Sequence, residues 1–256
     1  MGNTILQTNE LGITFDGLVA LSDVEFHADQ GDITAIIGPN GAGKTTFFNL
    51  IAGFYTPTKG TVSYAGKDIT KLKPYERAEA GIARTFQNIN LFRDMSVLDN
   101  ALVGLHCRSK SNVLDSMLRT PRQRKEEKAL RTEVMETLEF LGLADVALEK
   151  AGSLSYGMQK NLEIARALAS RPKIVLLDEP ASGLNTQDLK ELSKRILGIR
   201  DRGIAVVLIE HKMDVVMSIS DKIMVLNFGR EIAFGTPDEI KNNHEVIEAY
   251  LGKEDE

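Results

Sequence analysis

One short segment constrains the fold of this chain more than any other. Residues 38–45 read Gly-Pro-Asn-Gly-Ala-Gly-Lys-Thr, with glycine at the first and sixth positions and then a lysine and a threonine. The apolar run at residues 33–37 predicts a buried strand, and residues 45–51 can open a helix. In this strand–loop–helix context, the motif is typical of a phosphate-binding loop rather than of a simple glycine-rich helix cap. The segment therefore predicts a site for a nucleoside triphosphate.

The chemistry of this loop follows from its residue types. Glycines let backbone N–H groups turn inward around phosphates, and the start of the helix adds partial positive charge. The ammonium group of Lys44 would reach the β- and γ-phosphates of the nucleotide, and the hydroxyl group of Thr45 would bind Mg²⁺. The predicted phosphate-binding residues are Gly38, Pro39, Asn40, Gly41, Ala42, Gly43, Lys44, Thr45 and Thr46.

Composition favours a cytoplasmic protein that does not bind nucleic acid. With 256 residues, 43% of them apolar, the chain can bury one large core or two joined lobes. No run approaches the roughly eighteen apolar residues of a membrane span, and no secretory signal opens the sequence. The net charge of −5 disfavours a nucleic-acid partner. The single cysteine, Cys107, precludes an internal disulfide and suits a reducing compartment.

The hydrophobic pattern predicts an α/β fold with an added helical segment. Apolar and polar residues alternate within residues 5–30 and 60–67, which predicts half-exposed strands. Residues 95–165 have a helical pattern instead. From residue 174 onward, buried strands alternate with helices, which indicates a mostly parallel sheet. Residues 236–239 read Thr-Pro-Asp-Glu, a capping box that predicts the start of a helix.

A pair of acidic residues, Asp178 and Glu179, follows the buried strand predicted at residues 174–177. In α/β sheets, ligands bind at the carboxyl ends of such strands. Asp178 would hold Mg²⁺ directly or through water. Glu179, which points the other way, would polarise a water molecule for attack on the γ-phosphate. Alongside the phosphate-binding loop, this pair predicts a catalytic site rather than two solvated acids.

The order of the remaining motifs resembles that of ABC-type ATPases. Residues 154–159 read Leu-Ser-Tyr-Gly-Met-Gln and are similar to the family's Leu-Ser-Gly-Gly-Gln signature. Residues 182–185 (Ser-Gly-Leu-Asn) resemble its D-loop. The resemblance extends from residue 5 to about residue 235. It implies a P-loop ABC ATPase fold, with a mostly parallel core sheet, an antiparallel β subdomain and an α-helical signature subdomain.

The resemblance also implies roles for single residues. Phe15 matches the aromatic residue that stacks on adenine, and Gln87 matches the Q-loop glutamine. Ser155 and the backbone of Gly157 would cap the γ-phosphate held by a second subunit, so that two ATP molecules lie between two subunits. His211 matches the switch histidine, which hydrogen-bonds the γ-phosphate. The implied catalytic residues are Lys44, Glu179 and His211, and the implied metal-binding residues are Thr45, Gln87 and Asp178.

Three positions depart from the family pattern. Tyr156 replaces the first signature glycine, Met158 stands where the glutamine is usual, and Asn185 stands where the D-loop usually has aspartate. These changes put the strength of the contacts between subunits in doubt. They leave the residues implied in nucleotide binding and hydrolysis intact.

Within the family, several segments look like the larger ATPase subunit of branched-chain amino acid importers. They include Arg-Thr-Phe-Gln at residues 84–87, an insertion at about residues 105–128 and the tail at residues 246–252. The likeness implies a second ABC ATPase subunit in a hetero- or homodimer, membrane permease subunits and, indirectly, an extracytoplasmic solute-binding protein. The chain would then be cytoplasmic and peripheral on the inner face of the cell membrane. The expected domains are an ABC domain at residues 5–240, with its helical part at about 95–165, and a tail at 241–256.

Other ABC systems stay open as alternatives at this level. Urea or amide importers use close relatives, and the lipopolysaccharide-export ATPase has a similar tail. A soluble ABC ATPase of the iron–sulfur assembly type has a similar length. The segment at residues 84–87 and the tail favour the importer, but the solute is not readable because an ATPase subunit does not touch it.

Overall fold

The computed structural model describes residues 3–105 and 121–251, which form two compact units. The larger unit is built from the chain up to Arg84 and from Lys173 onward, and the smaller unit extends from Thr85 to Pro172. The helical range predicted at residues 95–165 lies within the smaller unit. Most of the insertion predicted at residues 105–128, including Cys107, lies outside the described residues.

Two β-sheets form the framework of the larger unit. Their strands are β1 (Thr4–Phe15), β2 (Leu18–Asp29), β3 (Ile33–Ile37), β4 (Lys59–Tyr64), β5 (Lys67–Asp68), β6 (Ile82–Arg84), β7 (Ile174–Asp178), β8 (Ala205–Ile209), β9 (Lys222–Asn227) and β10 (Arg230–Gly235). The six-stranded sheet has the order β10-β9-β3-β8-β7-β6. All its neighbouring pairs are parallel except β9 and β10. The prediction of a mostly parallel sheet is confirmed.

The central strands of this sheet position the functional residues. Every residue of β3, β7 and β8 is buried, which explains why these strands are nearly continuous apolar runs. The three strands are adjacent and parallel, so their carboxyl ends meet at one edge. The loop after β3 and the acidic pair at the end of β7 are therefore brought to the same edge of the sheet.

The second sheet is antiparallel, with the order β2-β1-β4-β5. A two-residue turn at Asp16 and Gly17 joins β1 to β2, and both residues have positive φ. Ala65 and Gly66 form the same kind of turn between β4 and β5. Turns with two positive φ values match the twist of the hairpins they join. The strands predicted at residues 5–30 and 60–67 are present, each interrupted by one of these turns.

Helices cover both units. They are α1 (Lys44–Ile51), α2 (Pro74–Ala80), α3 (Val97–Val103), α4 (Pro121–Phe140), α5 (Tyr156–Ala169), α6 (Thr186–Asp201), α7 (Met213–Ile219), α8 (Pro237–Lys241) and α9 (His244–Leu251). The predicted capping box starts α8: Thr236 accepts from the N–H of Glu239, and the Glu239 side chain accepts from Thr236. Across residues 3–105 and 121–251, no helix has the length and apolar content that crossing a bilayer requires.

The smaller unit is built from α3, α4 and α5, which pack on one another. Val134, Leu138 and Leu141 are fully buried, as expected for residues that share one helical face. The side chain of Asn100 on α3 is also buried. It accepts from the N–H of Phe92 and donates to the Phe92 carbonyl, at 3.0 and 2.9 Å. This pair of hydrogen bonds holds the segment before α3 against the helix.

Candidate nucleotide-binding site

The loop between β3 and α1 has the backbone that a phosphate-binding loop requires. Gly38, Gly41 and Gly43 have φ values of +150°, +81° and +99°. A Cβ atom on Gly38 would overlap the carbonyl oxygen of Leu226, so no larger residue fits there. Gly43 is the N-cap of α1 and has no side chain to satisfy the helix's first N–H groups. The start of α1 is therefore available for anionic oxygens.

Lys44, the first residue of α1, turns its side chain back into the loop. Its Nζ atom donates to the carbonyl oxygens of Gly38 and Pro39, at 2.7 and 2.9 Å. Burial lowers the pKa of Lys44, and the charge of Glu179 opposes that shift. A partly desolvated ammonium group that bonds to neutral carbonyls would gain from an anionic partner.

A cavity of about 230 Å³ lies inside this loop. It is lined by Asn40, Gly41, Ala42, Gly43, Lys44, Thr45, Thr46, Glu179 and His211. Sites for whole drug-sized ligands are typically about 300–1,000 Å³. The cavity therefore has the size for a phosphate chain, with the base outside it. Four larger-unit residues implicated by the sequence do not line it: Phe15, Gly38, Pro39 and Asp178.

Glu179 and His211 meet at the edge of the sheet. The Nε2 atom of His211 lies 3.1 Å from Oε1 of Glu179. Glu179 has a φ of +47°, and its N–H donates to the carbonyl of Ile209, the last residue of β8. The turn at Glu179 thus directs its carboxylate toward His211, which lies two residues beyond the end of β8.

Asp178, one residue earlier, has a different environment. Its carboxylate is buried at the end of β7, and its Oδ2 atom accepts from a guanidinium nitrogen of Arg84 at 2.9 Å. The two neighbouring carboxylates have different surroundings, because β7 ends at Asp178 and the chain turns at Glu179. Asp178 is fixed within the structure, and Glu179 lines the cavity.

Glu210 joins the two loops that carry these acids and the histidine. Its buried carboxylate accepts from the backbone N–H groups of Ala181 and His211, at 2.6 and 3.1 Å. Burial raises the pKa of Glu210, although these N–H groups counter the shift. Lys212, which follows His211, donates from Nζ to the carbonyl of Leu184. These hydrogen bonds hold residues 181–184 against the loop that carries His211.

Phe15 lies at the end of β1 and is partly exposed. Its ring packs edge to face against Tyr55, with 5.2 Å between the ring centroids. An edge-packed ring keeps one orientation and can still offer its face to a planar ligand. Tyr55 thereby supports the aromatic surface that the sequence assigned to Phe15.

The remaining sequence-predicted residues belong to the smaller unit. Ser155 is the N-cap of α5, and its Oγ accepts from the N–H of Met158 at 3.4 Å. Gly157 is buried in the first turn of the same helix. Gln87 lies before α3, and its carbonyl accepts from Nζ of Lys160. In the larger unit, Asn185 is the N-cap of α6, where asparagine serves as well as aspartate.

The donor set fits a nucleotide-bound magnesium ion better than a metal bound by protein alone. No cluster of three or more His, Cys, Asp or Glu side chains suited to a metal occurs in the described part of the chain. Mg²⁺ at phosphate sites is usually held by one or two protein oxygens together with the phosphates themselves. Thr45 and Asp178 can supply those oxygens.

Three contributors to the site were missed by the sequence analysis. Tyr55 belongs to no motif, and no local sequence signal identifies it. Arg84 was noted within a family-like segment but was given no role of its own. Glu210 directly precedes His211 after a buried strand, and this placement of an acid could have marked it.

Comparisons with known proteins agree on one family. The model of the ABC transporter family matches residues 21–182, and the model described as branched-chain amino acid ATP-binding cassette transporter matches residues 230–256. The chain is 42% identical over 254 residues to the high-affinity branched-chain amino acid transport ATP-binding protein BraF of Pseudomonas aeruginosa, covering 99% of this chain and 100% of the relative. LivG of Escherichia coli, which has the same description, is 42% identical with the same coverage.

A solved structure of an ATP-binding cassette has a fold similar to that of this chain. The crystal structure of a nucleotide-free ATP-binding cassette from an ABC transporter has a TM-score of 0.85 and 36% sequence identity to this chain. It covers 98% of this chain and 100% of its own. The signature, the P-loop and the acidic pair thus occur on the fold that the resemblance implied. This chain belongs to the ABC transporter family and is one of its nucleotide-binding ATPase cassettes.

Proposed function

We propose that this chain is the ATP-hydrolysing subunit of an importer for branched-chain amino acids. The meeting of Glu179 and His211 at the cavity formed by the P-loop carries the enzymatic part of the proposal. The transport part is supported by the family match at residues 230–256 and by the descriptions of the relatives in Pseudomonas aeruginosa and Escherichia coli. The structure gives no specific support to a urea, lipopolysaccharide or iron–sulfur role.

In the proposed reaction, the P-loop binds the phosphates of ATP. Lys44 exchanges its carbonyl partners for phosphate oxygens. Thr45 and Asp178 would hold Mg²⁺, whose charge would offset that of the phosphates. Glu179 polarises a water molecule for attack on the γ-phosphate. His211 holds the γ-phosphate and keeps Glu179 oriented. Phe15, supported by Tyr55, stacks on adenine. Gln87 would contact Mg²⁺ and the γ-phosphate.

The second half of each ATP site comes from another ATPase subunit. Ser155 and the backbone of Gly157, at the start of α5, cap the γ-phosphate bound to that subunit's P-loop. Tyr156 and Met158 alter this signature, which favours a partner with a different sequence over a second copy of this chain. ATP binding closes the dimer, and hydrolysis opens it again.

The closing dimer drives two membrane permeases, and an extracytoplasmic solute-binding protein delivers the amino acid to them. The chain is then cytoplasmic and peripheral on the inner face of the membrane. We assign residues 5–240 to the nucleotide-binding domain and residues 241–256 to a C-terminal tail.

Uptake in cells tests this function directly. A strain that lacks the gene receives either the wild-type chain or Lys44→Ala, and uptake of labelled leucine, isoleucine and valine is measured. The wild-type chain should restore uptake and Lys44→Ala should not. Urea uptake in the same strains is the control. Unchanged amino acid uptake in the deletion strain, with a loss of urea uptake, would assign the chain to the other importer class.

A further inference from the structure

Arg84, the last residue of β6, is a buried cation beside the catalytic edge of the sheet. Only 9% of its side chain is exposed. One terminal guanidinium nitrogen donates to Oδ2 of Asp178 at 2.9 Å, and the other donates to Oδ1 of Asn49 at 2.7 Å. Asn49 lies on α1, the helix that begins at the P-loop lysine. Arg84 thus connects the acid at the end of β7 to the P-loop helix.

Two aromatic rings hold the guanidinium group of Arg84 in place. Its central carbon lies 5.6 Å from the ring centroid of Phe48 and 5.4 Å from that of Phe54. Contacts of this length between arginine and aromatic rings are attractive, and more so away from water. Rings and hydrogen bonds together leave the guanidinium group little freedom to turn. The carboxylate to which it bonds is restrained as well.

The side chain of Asp178 is enclosed as well, with only 4% of it exposed. Arg84 thus holds one oxygen of a carboxylate that has little contact with solvent. A Mg²⁺ ion that binds Asp178, directly or through water, would meet a carboxylate that is already oriented.

We propose that Arg84 is a positioning residue that holds the Asp178 carboxylate in one orientation, and thereby sets the Mg²⁺ concentration that the site requires. The inference rests on the proposed function, because it takes Asp178 as the acid that serves Mg²⁺. Residues that orient a metal's ligands commonly contribute about 10- to 100-fold to metal affinity or activity. Lysine would keep the charge, but it lacks the planar fork that reaches Asn49 and Asp178 together.

Binding of ADP tests this role without hydrolysis. Calorimetry gives the affinity of the purified chain for ADP in EDTA and at graded Mg²⁺ concentrations. The Mg²⁺ midpoint is the Mg²⁺ concentration at which half of the change in ADP affinity has occurred. Arg84→Gln should leave the affinity for ADP in EDTA unchanged and raise this midpoint by about 10- to 100-fold. Arg84→Lys should restore only part of the Mg²⁺ affinity, because lysine cannot contact Asn49 and Asp178 together.

Two further variants make the outcome decisive. Arg77 is also buried, but it donates to the backbone carbonyls of Leu50, Ile51, Thr70 and Leu72. Arg77→Lys should therefore lower the melting temperature without moving the Mg²⁺ midpoint. Asn49→Ala removes one anchor of Arg84 and should shift the midpoint in the same direction as Arg84→Gln, but less. If Arg84→Gln does not fold, the Mg²⁺ midpoint of Asn49→Ala tests the role of Arg84 in its place.

The result separates failure of this inference from failure of the proposed site. Asp178→Asn should abolish the effect of Mg²⁺ on ADP affinity. If it does, and Arg84→Gln and Asn49→Ala both keep the wild-type midpoint, the role of Arg84 is overturned and the ATP site stands. If Asp178→Asn responds to Mg²⁺ like the wild type, Asp178 does not serve the metal, and the inference falls together with that assignment.

Discussion

Glu179 and His211 form a hydrogen-bonded pair, with 3.1 Å between Oε1 and Nε2, because they follow adjacent parallel strands. Asp178 pairs in register with Ile209, so Glu179 directly follows one strand, and His211 lies two residues beyond the end of the other. Glu210 holds the loops after the two strands together, because its carboxylate accepts from the N–H groups of Ala181 and His211. The sheet register therefore places an acid and a histidine on the same phosphate cavity.

Glu179→Gln should separate ATP binding from hydrolysis. Glutamine has nearly the same shape and can still bond to His211, but it cannot act as a base. ATP affinity should remain near the wild-type value, while turnover should fall by about 10²- to 10⁴-fold. Phosphate release and ATP binding, measured on the same preparation, check both parts.

The same variant tests the shared ATP site. With ATP and Mg²⁺, Glu179→Gln should accumulate as a closed dimer, seen by size-exclusion chromatography, and more so when the second ATPase is present. Ser155→Ala in the same background is the control, because it removes the cap on the γ-phosphate. If ATP binds but neither sample shifts to a dimer, the shared site is wrong for this protein. Full hydrolysis by Glu179→Gln would remove Glu179 from catalysis.

Lys44→Ala should abolish hydrolysis and strongly weaken ATP binding. The substitution removes an ammonium group that already lies inside the P-loop, 2.7 Å from the carbonyl of Gly38. Lys212→Ala is a matched control, because this lysine donates to the carbonyl of Leu184 outside the P-loop. It should keep most of the ATP affinity. Equal hydrolysis by the wild type and Lys44→Ala would contradict the assignment of the P-loop.

Local sequence signals were sufficient for much of this fold. The buried strand before residue 38, the helix after it and the capping box at Thr236 depend on neighbours in sequence, and all three are present. The mostly parallel sheet followed from alternating strands and helices. The two hairpin turns, at Asp16 and Ala65, also had a local signal, because in both a glycine follows the first turn residue.

Contacts between distant segments were beyond such reasoning. Arg84 and Asp178 are 94 residues apart in sequence, and Phe15 and Tyr55 belong to different elements. Their partners are set by strand order and register, which no local pattern specifies. Three further side chains — Glu210, Asn49 and Asn100 — gain their roles in the same way. The family motifs indicated the residues that we propose contact the nucleotide, but not those that hold them in place.

Phe15→Ala should weaken nucleotide binding through the base alone. Loss of stacking on adenine should cost about 1–3 kcal/mol in the affinity for ADP. Affinity for tripolyphosphate, which has no base, should not change. Tyr55→Ala should have a smaller effect in the same direction, because it removes the support of the Phe15 ring. Phe228→Ala is the control, since that ring is 91% exposed in a turn. An equal loss for both ligands would rule out stacking.

Glu210→Gln should change how stability depends on pH. Burial raises the pKa of Glu210 above its ordinary value of 4.5, so the folded state holds a proton that the unfolded state has already lost. In the wild type, this group therefore favours folding most below pH 4.5, and its contribution declines as the pH rises through the folded pKa. Glutamine does not titrate, so the variant should lack this decline.

The measurement is the free energy of unfolding in urea between pH 4 and pH 8. The free energy of unfolding of the wild type, relative to that of Glu210→Gln, should fall as the pH rises over this range. Hydrolysis should also fall, because a glutamine has one acceptor oxygen where the two carboxylate oxygens serve Ala181 and His211. A difference that is constant over this range would show that Glu210 does not titrate differently in the two states.

The segment at residues 89–95 should contact a permease. Phe92 is 52% exposed, and Asn100 holds its backbone with two hydrogen bonds, so an apolar side chain is presented from a fixed position. Large exposed apolar side chains can mark interaction sites, and the half-buried Ile89 and Leu91 lie nearby in sequence. Single cysteines at positions 89–95, in a Cys107→Ser background, should cross-link to co-expressed permeases. A cysteine at Leu148, which is 85% exposed in the same unit, should not. Intact amino acid uptake without a cross-link at any of these positions would exclude the segment as the docking surface.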